Sequence, residues 1–398
     1  AKVSRQRFLP VPGSYQVGRA YEVVQIDHTL VDVIVVDRAH RKPLQRPWVT
    51  LAIDVASRMV AGFYLTLEPP SALSVSLAIQ HLVQPKQDWL DGLGIDARWP
   101  AAGLPETIHV DNAKEFRSKA MKRGAEEHGI SLQYRPIGAP HYGGHIERLI
   151  GTMMGAVHLL PGSTFSSIKD RGDYDSAANS AMTLDELERW LALEITRYHA
   201  ERHRSLGIPP LAAWHDAYGR RETSLRQPHD PEEFRIDFLP SAERMVRRDG
   251  IHLFGLRYWD DILSLWAGRQ DRQLRVSYDP RGLSTVFVRS PDGQCYPVRF
   301  ADLRHPPITL AEHRRAQALL RERGRSLEDE QLIFQVIEEQ RALVDAAAGE
   351  TREARRVAER RERALDGARP CAVEEMDPEP KENIGLLDHP GFEVEEWS

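Results

Sequence analysis

Cysteine is almost missing: Cys295 and Cys371 are the only two in 398 residues. Two thiols so far apart exclude a disulfide framework, and they exclude a cysteine-based zinc site. No apolar run approaches the ~20 residues that cross a bilayer, so no membrane span is expected. The opening stretch, AKVSRQRFLP, lacks the apolar segment of a secretory signal, and a cytoplasmic location is the expectation. An initial Met is lacking as well, as in a fragment of a longer polypeptide. There is also no overall basic excess. The formal net charge is −6, but residues 371–398 hold nine acids against one Lys, so residues 1–370 stand near +2. A near-neutral body still permits a basic face, which is all that contact with phosphates requires.

What is present suits a globular protein of two or three domains, because 41% of residues are hydrophobic, 28% are charged, and single cores stop growing near ~250 to 300 residues. From Tyr21 the apolar residues alternate or run together through VVQID and VDVIVVD, then through WVTLAIDVAS and MVAGFYLTL, which predicts three strands in hairpins. Pro69 and Pro70 end the last of them, Ser71 can cap, and Ala72 to Val83 has helical spacing. A loop rich in Trp, Gly and Pro is expected over Gln84 to Pro105. It is followed by a short strand ending at Asp111, a basic helix from about Lys114 to His128, a strand ISLQYRP, and a helix from about Gly143 to Leu159. The order βββαβαβα is that of an RNase H-like core, an α/β fold with a mixed five-stranded sheet and flanking helices.

Beyond it, Pro161 to Met182 reads as an extended connector, and Thr183-Leu184-Asp185-Glu186 opens a helix with a capping box. Short apolar strands between Phe234 and Leu303, broken by Arg248-Asp249-Gly250, Asp279-Pro280-Arg281-Gly282 and Pro291-Asp292-Gly293, predict a small β-barrel. That span holds eleven Arg, no Lys and nine acids; Lys is absent from 170 through 380 altogether, so codon bias explains the Arg enrichment as well as phosphate binding does. From Thr309 to about Gly367, Ala, Leu, Glu, Arg and Gln dominate, which favours one or two long helices with a possible break at Arg323-Gly324. The expected boundaries are a linker at 1–19, the RNase H-like core at 20–160, a connector and helical segment at 161–227, the barrel at 228–305, a helical region at 306–367 and an acidic tail at 368–398.

Three acids stand out. Asp27 and Asp111 each close a hydrophobic strand, where a carboxylate can project into the cleft beside an open sheet. Glu147 lies on a helix with Gly143, Gly144, Ile150 and Gly151 as its neighbours, a small and mostly apolar face on which a charge needs a partner such as a metal ion. Each also has a plainer reading: strand terminator for Asp27, Asx turn for Asp111, and favourable placement at a helix N-terminus for Glu147. Three carboxylates form a ligand set for Mg²⁺, with Mn²⁺ as substitute, and two such ions can drive in-line phosphoryl displacement without a general base. The cationic residues Lys114, Arg117, Lys119, Lys122, Arg123, His145 and Arg148 lie nearby and are candidate DNA contacts, although a charged helix face is also commonly just solvated. His199 and His203 sit one helical turn apart, but Glu201 falls one place too late for an HExxH metal motif.

The segments QIDHTLVDVIVVD, VDNAKEF and GAPHYGGHIERLIGTMM resemble the catalytic core of DDE transposases of the TnsB and TniA family, within the retroviral integrase superfamily and related to phage Mu transposase. Thirty-five residues separate Asp111 from Glu147, as in the D,D(35)E pattern, and the likeness continues through LPGSTFSSIKDRGDYDSAANSAMTLDELERWL and YHAERHRSLGIPPLAAW. The resemblance, which spans about residues 20–305, implies 3′-end cleavage and strand transfer of transposon-end DNA into target DNA. Asp27, Asp111 and Glu147 would hold two Mg²⁺ ions in a homo-oligomer assembled on DNA. It further implies that an AAA+ ATPase regulator binds the acidic tail, whose Leu386, Leu387, Phe392 and Trp397 suit folding upon a partner. Helical N-terminal domains that read the end repeats also belong to the family and are not among these residues. The alternatives are an RNase H-type metal nuclease and a catalytically inactive DNA-binding assembly protein.

Overall fold

The computed structural model describes residues 17–135, 143–165, 173–268, 273–322 and 329–368. Its first sheet contains β1 (Val23–Leu30), β2 (Trp48–Asp54), β3 (Val60–Thr66), β4 (Thr107–Val110) and β5 (Ser131–Tyr134), in the order β3-β2-β1-β4-β5. The first three strands are antiparallel, whereas β4 and β5 run parallel to β1, so the sheet is mixed as in an RNase H-like core. Helices α1 (Ala72–Val83), α2 (Gln87–Gly92), α3 (Lys119–Glu127) and α4 (Gly144–Val157) accompany it. Helix α2 lies inside the stretch expected to be a loop; its single buried residue, Leu90, is too little apolar periodicity to read. VDVIVVD does not extend a strand. Its Val residues are buried, but only isolated bridges such as Val33 to Ser163 and Val36 to Pro43 form there.

Two local devices set the sheet. Ser71 and Ser74 cap α1 reciprocally, and β3 approaches that helix so closely that a Cβ on Gly62 would come 2.6 Å from Leu82 N. At the β2–β3 turn, buried Asp54 accepts from Tyr21 N at 2.9 Å, Ser57 N at 2.9 Å and Ser57 Oγ at 2.5 Å. Burial raises its pKa, and these three donors offset that cost.

The helical chain that follows the Pro161–Met182 stretch packs into the first core. Helices α5 (Leu184–Ala200), α6 (Pro210–Gly219) and α7 (Pro231–Asp237) bury Leu187, Leu191, Ile195, Trp214 and Phe234 in the same apolar cluster as the sheet. Thr183 and Glu186 form the capping box that begins α5. A second sheet follows, all antiparallel: β6 (Ser241–Met245), β7 (Ile251–Leu253), β8 (Leu256–Trp259), β9 (Gln273–Asp279), β10 (Gly282–Arg289) and β11 (Cys295–Phe300). In the order β6-β9-β10-β11-β8-β7 the end strands are consecutive in the chain and joined by the Arg247–Gly250 turn, so the sheet is nearly closed, as a small barrel.

Three C-terminal helices, α8 (Leu310–Glu322), α9 (Glu330–Ala348) and α10 (Arg352–Ala368), replace the one or two expected. Helices α8 and α9 share the barrel's core, whereas α10 returns to the first domain through charge. Arg355 pairs with Asp37 at 3.3 Å, both nearly buried, and Arg363 and Arg38 share Asp185.

Candidate functional site

Carrying the β1–β4 register two residues beyond Gln25 and His109 brings Asp27 level with Asp111, and the β4–β5 register brings Asp111 level with Arg135. Side chains two residues apart on a strand share a face. One row across three parallel strands therefore reads Asp27, Asp111, Arg135, and the row beneath reads Gln25, His109, Gln133. Asp27 does not close its strand: β1 runs on to Leu30, held by β2, while β4 stops at Val110. Asp27 thus stands where the parallel pairing has run out.

Gln25 docks the third acid. Its Oε1 accepts from Ile146 N, in the first turn of α4, at 3.2 Å, and its Nε2 lies 3.3 Å from His109 Nδ1. Burial, and then the charge of Arg135, pulls the His109 pKa down to about 4, so the ring is neutral and accepts this bond. Glu147 follows Ile146, but it does not sit on the packed face. The buried stripe is Ile146, Leu149, Met153 and Val157, and Glu147 is exposed beside it. The helical spacing of those four residues, rather than the glycines, sets the face that meets the sheet.

The carboxylates have partners within the protein. Asp27 Oδ1 accepts from His28 N at 2.8 Å, and Oδ2 lies 3.0 Å from Arg135 Nη1. Asp111 Oδ1 accepts from Ala113 N at 2.9 Å, the Asx turn anticipated as the plainer reading. The Arg135 guanidinium and the Glu147 carboxylate each lie close to Gly143: a Cβ on that glycine would come 2.6 Å from Arg135 Nη1 and 2.8 Å from Glu147 Oε1. The three acids therefore share one end of the sheet. Among the described residues, however, no group of three His, Cys, Asp or Glu side chains is drawn close enough to hold a metal ion.

The cations divide into two kinds. Helix α3 starts only at Lys119, capped by Ser118, so Lys114 and Arg117 belong to the turn before it. Lys114, Lys119, Lys122 and Arg148 are exposed, and the salt bridges found among the described residues do not include them. Arg117 is exposed too, bonded to Asn112 Oδ1 and stacked over Tyr134 at 5.1 Å. Arg123 is used internally, donating to Ser241 Oγ at 2.7 Å and to the carbonyls of Asp237 and Leu239, which ties α3 to the start of the barrel. His145 is half-buried; burial, then Arg58, Arg148 and His203, take its pKa to about 4, so at neutral pH it carries no charge.

Sequence reading did not single out Gln25, His28, His109, Glu115 or Arg135. His28 stacks on Phe116 and its Nε2 lies 2.8 Å from Glu115 Oε1, which anchors the turn after Asp111 to β1. Polar residues two before each strand aspartate were the available signal, since strand alternation puts them on the same face. His199 is a core residue: it accepts from Val60 N at 3.0 Å and is 1% exposed.

Residues 25–162 match the TnsB C-terminal domain family, and residues 235–296 match the family described as Mu transposase, C-terminal. The transposase for transposon Tn552 of Staphylococcus aureus is 26% identical over 312 residues, 74% of this chain and 59% of that protein. The Tn7 transposition protein TnsB of Escherichia coli is 25% identical over 295 residues, 68% of this chain and 41% of that protein. The chain thus spans about half the length of these relatives. Among solved structures, the BIV integrase catalytic core domain is 15% identical with a TM-score of 0.28, covering 50% of this chain and 97% of that one. At that score the fold assignment rests on the strand order described above. The segment that matches the TnsB C-terminal domain family thus holds most of the first sheet and helix α4, and the segment that matches the Mu transposase family holds most of the barrel.

Proposed function

We propose that this protein is a DNA transposase that cleaves the 3′ ends of a transposon and joins them to target DNA, with Asp27, Asp111 and Glu147 as metal-ligating catalytic residues. The observation that carries the reading is the β1–β4 register, which carried two residues past Gln25 and His109 sets Asp27 level with Asp111, while Gln25 holds Ile146, the residue before Glu147. The named relatives, a transposase for transposon Tn552 and a Tn7 transposition protein, support the reading.

The donor set fits a hard divalent cation, since all three ligands are carboxylate oxygens. Assembly requires the Asp111 carboxylate to turn from Ala113 N and Asp27 to share or give up its bond with Arg135. Bound there, two Mg²⁺ or Mn²⁺ ions would supply activation of the attacking oxygen and stabilisation of the departing one. The protein's own part is positional. The His28 N–H fixes one oxygen of Asp27, Gln25 fixes the start of α4, and the Asx turn sets the backbone at Asp111. Lys114, Arg117, Lys119, Lys122 and Arg148 would contact the DNA backbone, with His145 as a neutral hydrogen-bonding neighbour; Arg123, held by the barrel, is withdrawn from that set. Transposon-end and target DNA are the substrates, subunits assemble on them, and the acidic tail, which lies outside the described residues, binds an AAA+ ATPase regulator.

The test is to incubate the protein with a recessed 3′-end oligonucleotide, a plasmid and Mg²⁺ or Mn²⁺, and to look for joined product. Asp111→Asn should abolish joining and retain DNA binding. Hydrolysis without joining would move the protein to the nuclease class, and full activity of Asp111→Asn would show that the acids are idle.

A further inference from the structure

Arg135 occupies a place no carboxylate chemistry demands. Its backbone brackets Asp111: its N–H donates to Val110 O at 2.9 Å, and its carbonyl accepts from the side chain of Asn112. It stands in the same row as the two aspartates, one strand further out. From there the side chain crosses Asp111 to reach Asp27 Oδ2 at 3.0 Å, and it passes close to Gly143, as the Glu147 carboxylate does from its own side. The Arg135 side chain is 10% exposed and that of Asp27 is 17% exposed. Nε and Nη2 of Arg135 are buried with no hydrogen-bond partner among the described residues, so Asp27 is the guanidinium's anchor.

We infer that Arg135 is an internal cation that competes with divalent metal for Asp27, and so sets how tightly the three acids take up metal. This deepens the function proposed above and rests on it. A guanidinium is never deprotonated in a protein, so its charge is a fixed cost to any cation arriving at the same carboxylates. Three acids and one arginine leave a smaller negative charge than three acids alone. At separations of a few ångströms in a partly solvated site, one unit charge against a divalent ion changes affinity on the order of tenfold. Arg135 is a positioning residue in this scheme, because it acts on metal through Asp27.

The experiment measures Mn²⁺ binding by isothermal titration calorimetry, and the Mn²⁺-induced rise in Tm, for wild type, Arg135→Gln, Arg135→Lys and the double variant Arg135→Gln/Asp111→Asn. Arg135→Gln should bind Mn²⁺ on the order of tenfold more tightly than wild type. Arg135→Lys, which keeps the charge, should stay near wild type, and the gain should vanish in the double variant. If wild type binds Mn²⁺ and Arg135→Gln, folded by circular dichroism, binds it equally or more weakly, the competition is refuted while the transposase reading stands. A gain that survives in the double variant refutes it too, since the ion would then lie elsewhere. Absence of Mn²⁺ binding in all four proteins would overturn both readings.

Discussion

Acid should loosen the first domain through one buried imidazole. His199, at the end of α5, accepts from Val60 N at 3.0 Å through Nε2 and lies edge-on to Trp99 at 5.2 Å. Burial first, then the charge of Lys86, takes its pKa from 6.5 to about 3. The folded pKa is depressed, so in the window from about 6.5 down to about 3 the unfolded chain binds the proton and the folded one does not. Stability from this group is complete above pH 6.5 and is lost as pH falls through that window. Between pH 7 and pH 5 about 1.5 units of the window are crossed, at ~1.4 kcal/mol per unit, giving a loss of ~2 kcal/mol. For a domain of this size that corresponds to roughly 4 to 8 °C in Tm. His199→Gln keeps an acceptor for Val60 N but does not titrate. Thermal unfolding followed by Trp fluorescence should show the variant less stable at pH 7, with the gap to wild type closing by ~2 kcal/mol at pH 5. His81, also buried with a lowered pKa, is present in both proteins and cancels. A gap that does not change with pH would refute the reasoning.

Gly62→Ala should cost at least ~2 kcal/mol in urea denaturation, because the added Cβ meets the backbone of Leu82, which cannot rotate away; a wild-type midpoint would deny the close approach. Replacing Lys114, Lys119 and Lys122 together by Gln should lower the slope of log K against log salt for DNA binding by roughly 2 to 3, with Tm unchanged, and an unaltered slope would remove them from the interface. Arg355→Ala leaves Asp37 buried without its charged partner, at a cost of ~1 to 3 kcal/mol, so hydrogen exchange in residues 352–368 should quicken; exchange at the wild-type rate would show that the pair does not hold α10.

Periodicity carried much of this protein. Alternation along VVQID and WVTLAID, the capping serine before Ala72 and the capping box at Thr183 each report a local preference, and local preferences are written in adjacent residues. The same holds for Asp27 on a strand and Asp111 just past the end of one, for Glu147 on a helix, and for the turn-rich stretch that becomes the barrel. Long-range pairing was not legible. That α10 returns to the first domain depends on Asp37, Asp185 and Arg355, each more than 140 residues from the others, and no short window holds them. Nor does any local pattern reveal that Arg123 is spent on Ser241. Arg135 is the sharpest case. Its sequence says only that a strand ends in a basic residue, whereas parallel register aligns it with Asp27 and Asp111, and a side chain long enough to cross one strand then reaches the acid on the next.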